Sequence, residues 1–288
     1  MTLTARSLLF APGDSPRKMQ KAAASEADVV LLDLEDAVAE ANKAEARQCV
    51  VEHLRAGGHR QPQWARINPL DSPHALADLA AVVPAAPAGI LLPKATRAEA
   101  DRLHHYLTAL EVSAGLPQGG IATMVVATET APALFGLGDY AGTPRLAALT
   151  WGAEDSATAL GATDNRDESG SYDFPYQLFR ALCLAGAAAA QVTPIETIHG
   201  DFRDLAGLEN VASGARRAGF RGMLAIHPDQ VPIINRAFSP SEAEIERARR
   251  IVAAFDASPG AGTIGLDGAM LDLPHLRRAR AILALARA

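Results

Sequence analysis

The chain has 288 residues, of which 49% are hydrophobic and 21% are charged, so it is long enough to bury a substantial core. Its 27 Lys and Arg residues against 33 Asp and Glu residues give a formal net charge of −6, which argues against general binding of nucleic acids or anionic membranes. No stretch approaches the ~20 apolar residues of a membrane-spanning helix, and two cysteines are too few for a disulfide framework, so we expect a soluble, cytoplasmic protein.

Eight short apolar runs follow one another along the chain, and amphipathic segments separate several of them. The runs are residues 7–11, 28–34, 64–67, 89–92, 121–128, 146–152, 191–195 and 222–226, and the clearest helical segments are 37–55, 97–112 and 202–218. Short runs with Leu-rich or β-branched centres are typical of strands buried on both faces. The alternation predicts an α/β fold, a (β/α)8 TIM barrel over residues 1–238. A doubly wound open sheet is the alternative, although no glycine-rich dinucleotide-binding motif follows the first run.

Residues 239–288 extend beyond the predicted barrel and form a C-terminal helical extension. Ser239 and Glu242 have the spacing of a capping box, with Pro240 at the first helical position, and predict a helix that runs to Phe255. A glycine-rich stretch, residues 260–268, then leads to a final helix that is rich in basic and apolar residues.

The predicted strands end in polar or ionisable residues, whereas the strand bodies carry almost none. In a TIM barrel the active site forms at these carboxyl ends. Glu129 and Asp155 follow two consecutive strands, and neighbouring strands lie about 4.8 Å apart, so both carboxylates are able to reach one hard cation such as Mg²⁺. A helix cap or an ion pair explains the same two residues, and the spacing alone slightly favours these structural roles.

Arg66 lies near the end of the third run, where a guanidinium is suited to bind a substrate carboxylate and to stabilise an oxyanion. A salt bridge to Asp33, Glu35 or Asp36 at the barrel rim explains this arginine equally well. Lys94 follows the fourth run. A Schiff-base role for this lysine is disfavoured, because a metal held by the carboxylate pair would activate the substrate in its place.

Two histidines and a basic cluster complete the candidate residues. His199 and His227 lie in predicted loops, where a structural role is the favoured interpretation. Arg17, Lys18 and Lys21 follow the first strand and fit either the phosphates of a nucleotide-like group or a solvated helix face, which is the default for such a cluster.

Eight motifs, in the same order along nearly the whole chain, resemble the citrate lyase β-subunit/malyl-CoA lyase family of the HpcH/HpaI aldolase superfamily. They are RSLLFAPGDS from Arg6, VLLDLEDA from Val30, RINP from Arg66, LPK from Leu92, ETA from Glu129, GAED from Gly152, GMLAIHPDQ from Gly222 with FSPS from Phe238, and GAMLDLP from Gly268. The resemblance implies a (β/α)8 barrel that binds Mg²⁺ and cleaves or forms carbon–carbon bonds in hydroxyacyl-CoA thioesters. The chain departs from the family at Trp151, where a smaller residue or Phe is more common.

The resemblance also implies roles for individual residues. Glu129 and Asp155 match the metal ligands, and Arg66 matches the arginine that binds the substrate carboxylate. Asp272 matches an acid/base that close relatives supply from the C-terminal segment of a neighbouring subunit, which implies a homo-oligomer, typically a homotrimer or hexamer. Residues that fall where relatives contact coenzyme A are Phe10, Ala11, Arg17, Leu224 and Ala225. Glu35 and Asp36 are expected to orient metal-bound waters.

The expected function is therefore a Mg²⁺-dependent lyase that splits or condenses citramalyl-, malyl- or citryl-CoA, with an acyl-CoA and a 2-oxoacid as the products. One alternative is a metal-dependent class II aldolase that acts on free hydroxy-oxoacids, and another is a non-catalytic acyl-CoA-binding subunit. A thioesterase or malate-synthase-like side activity would use the same site. The residues do not select the acyl group, its stereochemistry, or coenzyme A over an acyl-carrier protein.

Overall fold

A computed structural model describes residues 3–286 of the chain. In this part of the chain, eight parallel strands pair in sequence order and close into a barrel through contact of the eighth strand with the first. The strands are β1 Ser7–Pro12, β2 Val29–Asp33, β3 Gln63–Arg66, β4 Gly89–Leu92, β5 Ala122–Val126, β6 Leu146–Thr150, β7 Thr193–Glu196 and β8 Gly222–Ala225. The closed barrel confirms the predicted fold and rules out the open-sheet alternative.

Helices alternate with the strands around the barrel. They are α1 Pro16–Ala23, α2 Lys43–Ala56, α3 Ala75–Val82, α4 Arg97–Ser113, α5 Ala131–Phe135, α6 Ala153–Leu160, α7 Phe174–Ala190, α8 Leu205–Ala218 and α9 Val231–Phe238. The helix predicted from residue 37 begins only at Lys43, because the side chain of Asp33 accepts the backbone N–H of Ala37 at 3.1 Å and holds this segment in a turn. None of the helices within residues 3–286 is both long and apolar enough to cross a bilayer.

Side chains fill the inside of the barrel, as the apolar runs predict. Every residue of β2, β4, β5 and β6 is buried, since the strands have side chains inside the barrel and helices outside it. Trp64 lies in this core, and a Cβ atom on Gly89 would lie 2.5 Å from its ring, so the neighbouring strand needs a glycine there. At the amino ends of the strands, Glu111 and Arg145 form a buried ion pair, with Nη1 and Oε1 2.7 Å apart.

The chain divides into two compact units, Met1–Asn235 and Arg236–Ala288. The second unit contains α10 Glu242–Asp256, the hairpin strands β9 Thr263–Leu266 and β10 Ala269–Asp272, and α11 Leu273–Leu285. Its apolar core includes Ile251, Phe255, Leu271 and Leu276.

The hairpin and the capping box of this unit differ from the sequence-based expectation. The glycine-rich stretch forms an antiparallel hairpin whose turn, Asp267 and Gly268, has φ of 51° and 75°, as expected of an Asp-Gly hairpin turn. The predicted cap at Ser239 is wrong, because its backbone N–H bonds to the carbonyl of Arg236 at the end of α9. The capping box lies two residues later, where Ser241 and Glu244 exchange hydrogen bonds of 3.2 and 2.8 Å.

Candidate active site

A cavity of about 660 Å³ opens at the carboxyl ends of the barrel strands. Its lining includes six residues that were proposed from the sequence, namely Phe10, Asp36, Arg66, Glu129, Asp155 and Leu224. Ala11 and Ala225 lie buried in β1 and β8, while Arg17 is exposed on α1. The predicted metal ligands, the arginine and part of the predicted coenzyme-binding set therefore share one cavity.

Arg66 and Asp33 end neighbouring strands and lie opposite each other in the register of β2 and β3. The guanidinium donates two hydrogen bonds to the carboxylate, from Nε to Oδ1 at 2.7 Å and from Nη2 to Oδ2 at 2.6 Å. Burial alone would raise the pKa of Asp33, but the charge and hydrogen bonds of Arg66 hold it below its usual value. The guanidinium also lies 4.7 Å from the centre of the Phe10 ring. Arg66 thus forms the salt bridge at the barrel rim and also faces the cavity, two possibilities that the sequence left as alternatives.

Glu35 lies next to Arg66 and is only 3% exposed. Its Oε1 accepts a 2.6 Å hydrogen bond from Nζ of Lys94, and its Oε2 lies 3.0 Å from Nη1 of Arg66 without hydrogen-bond geometry. Burial raises the pKa of Glu35 above its usual value despite these two cations. Asp36, which follows it, is exposed and lies 3.6 Å from Nζ of Lys94.

Lys94 links the carboxylates of this cluster. Its ammonium lies 3.1 Å from Oδ2 of Asp155, and its backbone N–H donates to Oε2 of Glu129 at 2.8 Å. The residue adopts φ of 50°, in the left-handed region that few side chains occupy. Burial lowers the pKa of Lys94, but the carboxylate of Glu35 and its neighbours outweigh burial and raise the pKa. A protonated Lys94 cannot attack a carbonyl, which supports the prediction that it forms no Schiff base.

Glu129 and Asp155 converge from the ends of β5 and β6. Glu129 follows β5 by three residues and is 8% exposed, whereas Asp155 is the third residue of α6 and is more accessible. Burial and then the negative charges of Asp155 and Glu35 raise the pKa of Glu129 well above its usual value. Gly152 makes room for Glu129, because a Cβ atom at position 152 would lie 2.7 Å from Oε1.

Mg²⁺ fits the chemistry of this pair, since carboxylate oxygens are its preferred protein ligands and it usually keeps several waters. The Lys94 N–H engages Oε2 of Glu129, so Oε1 is the oxygen suited to a cation. Within the part of the chain that the structure describes, no group of three or more His, Cys, Asp or Glu side chains forms a metal-binding cluster. Water or substrate oxygens must therefore supply most of the coordination shell.

Sequence reasoning missed several residues that shape the cavity. Asp33 appeared only as one of three possible partners of Arg66. Trp151 lines the cavity and donates from Nε1 to Glu196 at 2.5 Å, while its ring meets the edge of Tyr172 at 5.2 Å. Glu196 also binds Arg180 at 2.6 Å, so Trp151 is held in one orientation. A tryptophan directly after a strand was a usable signal, whereas Tyr172 lies in a loop with no periodic pattern.

Asp272 lies in the second unit, at the end of β10 and the beginning of α11. Its Oδ1 lies 2.5 Å from Nδ1 of His275, and this hydrogen bond lowers the pKa of Asp272 below its usual value. The side chain is partly exposed and ionised at neutral pH, as a proton-accepting carboxylate must be.

Comparison with known proteins gives concordant matches. The family model of the HpcH/HpaI aldolase/citrate lyase family matches residues 6–228. A (3S)-malyl-CoA thioesterase of Cereibacter sphaeroides is 36% identical over 98% of this chain and 95% of its own length. An L-malyl-CoA/beta-methylmalyl-CoA lyase of the same species is 32% identical over 96% of this chain and 93% of its own. The crystal structure of CitE from Mycobacterium tuberculosis in complex with magnesium, acetoacetate and coenzyme A has a TM-score of 0.83 and 30% identity, with complete coverage of both chains.

Proposed function

The chain belongs to the HpcH/HpaI aldolase/citrate lyase family, and we propose that it is a Mg²⁺-dependent carbon–carbon lyase of hydroxyacyl-CoA thioesters. The observation that carries the proposal is the convergence of Glu129, Asp155 and Arg66 on one cavity. Relatives named malyl-CoA thioesterase and malyl-CoA lyase share the thioester of a hydroxylated diacid as substrate. Citramalyl-, malyl- and citryl-CoA are members of this class.

The residues at the acidic end of the cavity have distinct proposed roles. Mg²⁺ held by Glu129 and Asp155 supplies a Lewis acid that lowers the pKa of a substrate hydroxyl. Arg66, oriented by Asp33, binds the substrate carboxylate and stabilises negative charge on the oxygen that becomes the carbonyl of the 2-oxoacid. Glu35 and Asp36 orient water molecules beside the ion.

Cleavage of the carbon–carbon bond leaves its electron pair on the thioester α-carbon as an enolate. We assign Asp272 to the proton transfers: during cleavage its carboxylate takes the proton that the substrate hydroxyl loses and its acid form returns that proton to the α-carbon, and during condensation the same steps run in reverse. The products are an acyl-CoA and a 2-oxoacid. Following the family resemblance, Asp272 acts on the barrel of a neighbouring subunit, so we propose a homotrimer or hexamer as the active species.

The coenzyme binds at the β1 and β8 side of the barrel in this proposal. Phe10 and Leu224 line the cavity there, and β1 pairs with β8. Arg17 is exposed on α1 and suited to a phosphate. Ala11 and Ala225 are at most 1% exposed, so we expect their contacts with the coenzyme to come from the main chain.

The test is product release from malyl-, citramalyl- and citryl-CoA, each measured with Mg²⁺ and with EDTA. We expect one thioester to yield a 2-oxoacid and an acyl-CoA only when Mg²⁺ is present. Cleavage of a free hydroxy-oxoacid but of no thioester would instead identify a class II aldolase. Absence of turnover with every substrate would support a non-catalytic acyl-CoA-binding subunit.

A further inference from the structure

The carboxylate of Asp272 has a histidine partner to which the proposed reaction gives no role. Asp272 is the N-cap of α11, and His275 is the third residue of this helix. Nδ1 of His275 lies 2.5 Å from Oδ1 of Asp272 and 3.3 Å from the backbone nitrogen of the same residue. One ring nitrogen cannot donate to the carboxylate and accept from the N–H at the same time. Because the contact with Oδ1 is much the shorter, the proton belongs on Nδ1, which donates it to the carboxylate.

Buried neighbours hold the backbone of this pair on both sides. Leu271 and Leu276, which flank the pair in the sequence, are 3% and 8% exposed and lie in the apolar core of the second unit. Pro274 stands between the two residues, and its ring fixes φ in the first turn of α11. The side chains of Asp272 and His275 are themselves 41% and 42% exposed. The pair therefore has a rigid base, yet its polar side chains remain accessible to a molecule outside the unit.

The partner of Asp272 differs in kind from the partner of the buried carboxylate Asp33. Arg66 gives Asp33 a permanent positive charge, which suits a carboxylate that stays ionised. Within residues 3–286, no Lys or Arg side chain forms an ion pair with Asp272. An imidazole donates a hydrogen bond in its neutral form as well, so it orients a carboxylate without a permanent charge that would suppress its basicity. Such a partner suits a carboxylate that must take up a proton and release it again.

We propose that His275 is a positioning residue for the proton transfers of Asp272. The inference rests on the proposed function, in which Asp272 acts on a hydroxyacyl-CoA thioester. His275 engages Oδ1, so the proton transfers belong to Oδ2. During cleavage Oδ2 takes the proton of the substrate hydroxyl, whose oxygen keeps the O–H electron pair and forms the new carbonyl. The electron pair of the broken carbon–carbon bond then takes this proton from Oδ2, and His275 keeps its own proton throughout.

Two substitutions separate this role from helix capping. Glutamate and glutamine are both usual third residues of a capped helix, since either side chain accepts the backbone N–H of the N-cap residue. Only glutamine is also able to donate a hydrogen bond to the Asp272 carboxylate, because an ionised glutamate has acceptors alone. A purely structural role therefore predicts equal kinetics for His275→Glu and His275→Gln, whereas a positioning role predicts a large difference.

The kinetics are measured with Mg²⁺ and whichever of malyl-, citramalyl- and citryl-CoA the unaltered enzyme cleaves. We expect His275→Glu to lower kcat by about 10²-fold, the order seen when a reacting group loses its orientation, because Asp272 loses a donor and gains a like-charged neighbour. In His275→Gln, kcat should stay within about threefold of the unaltered enzyme. Both variants should keep the KM for the thioester, the Mg²⁺ affinity and the thermal unfolding midpoint. His105→Gln, which replaces an exposed histidine on α4, is the matched control and should change none of these quantities.

Three results would overturn the role of His275 alone: an unchanged kcat in His275→Glu, an equal fall of kcat in the glutamate and glutamine variants, or a fall accompanied by a lower thermal unfolding midpoint. Each of them leaves the lyase proposal standing. Cleavage of none of the three thioesters by the unaltered enzyme would instead overturn the lyase proposal and the role of His275 together. The two proposals therefore fail in different ways.

Discussion

Asp33 holds Arg66 through two parallel hydrogen bonds of 2.7 and 2.6 Å at the carboxyl end of the barrel, where the guanidinium faces the cavity. A pair of the same chemistry, Glu111 with Arg145, joins Oε1 to Nη1 and Oε2 to Nη2 at 2.7 Å each at the amino ends of β5 and β6. Both carboxylates are at most 1% exposed. Of these two buried ion pairs, the first borders the cavity and the second does not.

Because the two ion pairs have the same chemistry, a comparison of their variants separates the catalytic contribution of Asp33 from its contribution to stability. Asp33→Asn and Glu111→Gln should each lower the free energy of unfolding by about 3 kcal/mol, because each removes the charge of a buried carboxylate that accepts two hydrogen bonds from a guanidinium. Only Asp33→Asn should also lower kcat, by about 10²-fold, because Arg66 loses its fixed orientation. Urea unfolding and steady-state kinetics on the folded enzyme measure the two effects. Equal kcat values for the two variants would show that Asp33 does not position Arg66.

Gly152 should be needed for the metal site rather than for the fold. In Gly152→Ala the new methyl group would meet Oε1 and Cγ of Glu129 at 2.7 and 3.0 Å, so the carboxylate has to move. We expect Mg²⁺ affinity to fall by about tenfold or more, as it does when metal-binding groups lose their orientation. Gly138→Ala is the matched control, because a Cβ atom there has no neighbour within 4 Å. Isothermal titration of both variants with Mg²⁺ tests this, and equal affinities would contradict it.

The sequence predicts the barrel well because parallel strands that are buried on both faces appear as short, continuous apolar runs. The run 89–92 coincides with β4, and the predicted helix from residue 97 begins at Arg97 in the structure. Local motifs were less reliable where two of them overlap. Ser239 and Ser241 each precede a glutamate by three residues, and the choice between them depends on where α9 ends, which the spacing does not encode.

The sequence predicted those residues of the site that lie at or just after the ends of strands. Arg66 ends a strand, and Glu129 and Asp155 follow strands, so their convergence follows from barrel closure. Tyr172 and His199 reach the cavity from loops, whose paths depend on tertiary contacts such as the bond between Gln230 and His199.

Mg²⁺ binding should strengthen with rising pH because of Glu129. Its pKa lies above the usual value, so the metal-free protein holds a proton there that Mg²⁺ must displace. Affinity should therefore rise by up to about tenfold per pH unit below that pKa. By the same linkage, the folded metal-free protein binds this proton more tightly than the unfolded chain, so its stability should fall as pH rises from the unfolded to the folded pKa.

Titration calorimetry at two pH values, in buffers of different ionisation enthalpy, measures the released proton directly. Glu129→Gln should abolish this release and weaken binding, since the amide carries no displaceable proton. Glu154→Gln, which alters an exposed carboxylate in the lining of the same cavity, should retain both the release and the affinity. An affinity that stays constant with pH in the unaltered protein would contradict the role of Glu129.

Asp272 and Arg66 should complement each other between subunits. Asp272→Ala leaves the barrel carboxylates intact, so it should bind Mg²⁺ normally yet lose turnover, and Arg66→Ala should also be inactive. If Asp272 completes the site of a neighbouring subunit, a site with an intact arginine from one variant and an intact aspartate from the other is functional. Refolding the two variants together in equal amounts should then restore about a quarter of the original activity. Each variant refolded alone is the control. No recovery in mixed oligomers, or full activity in a monomer, would show that Asp272 does not act between subunits.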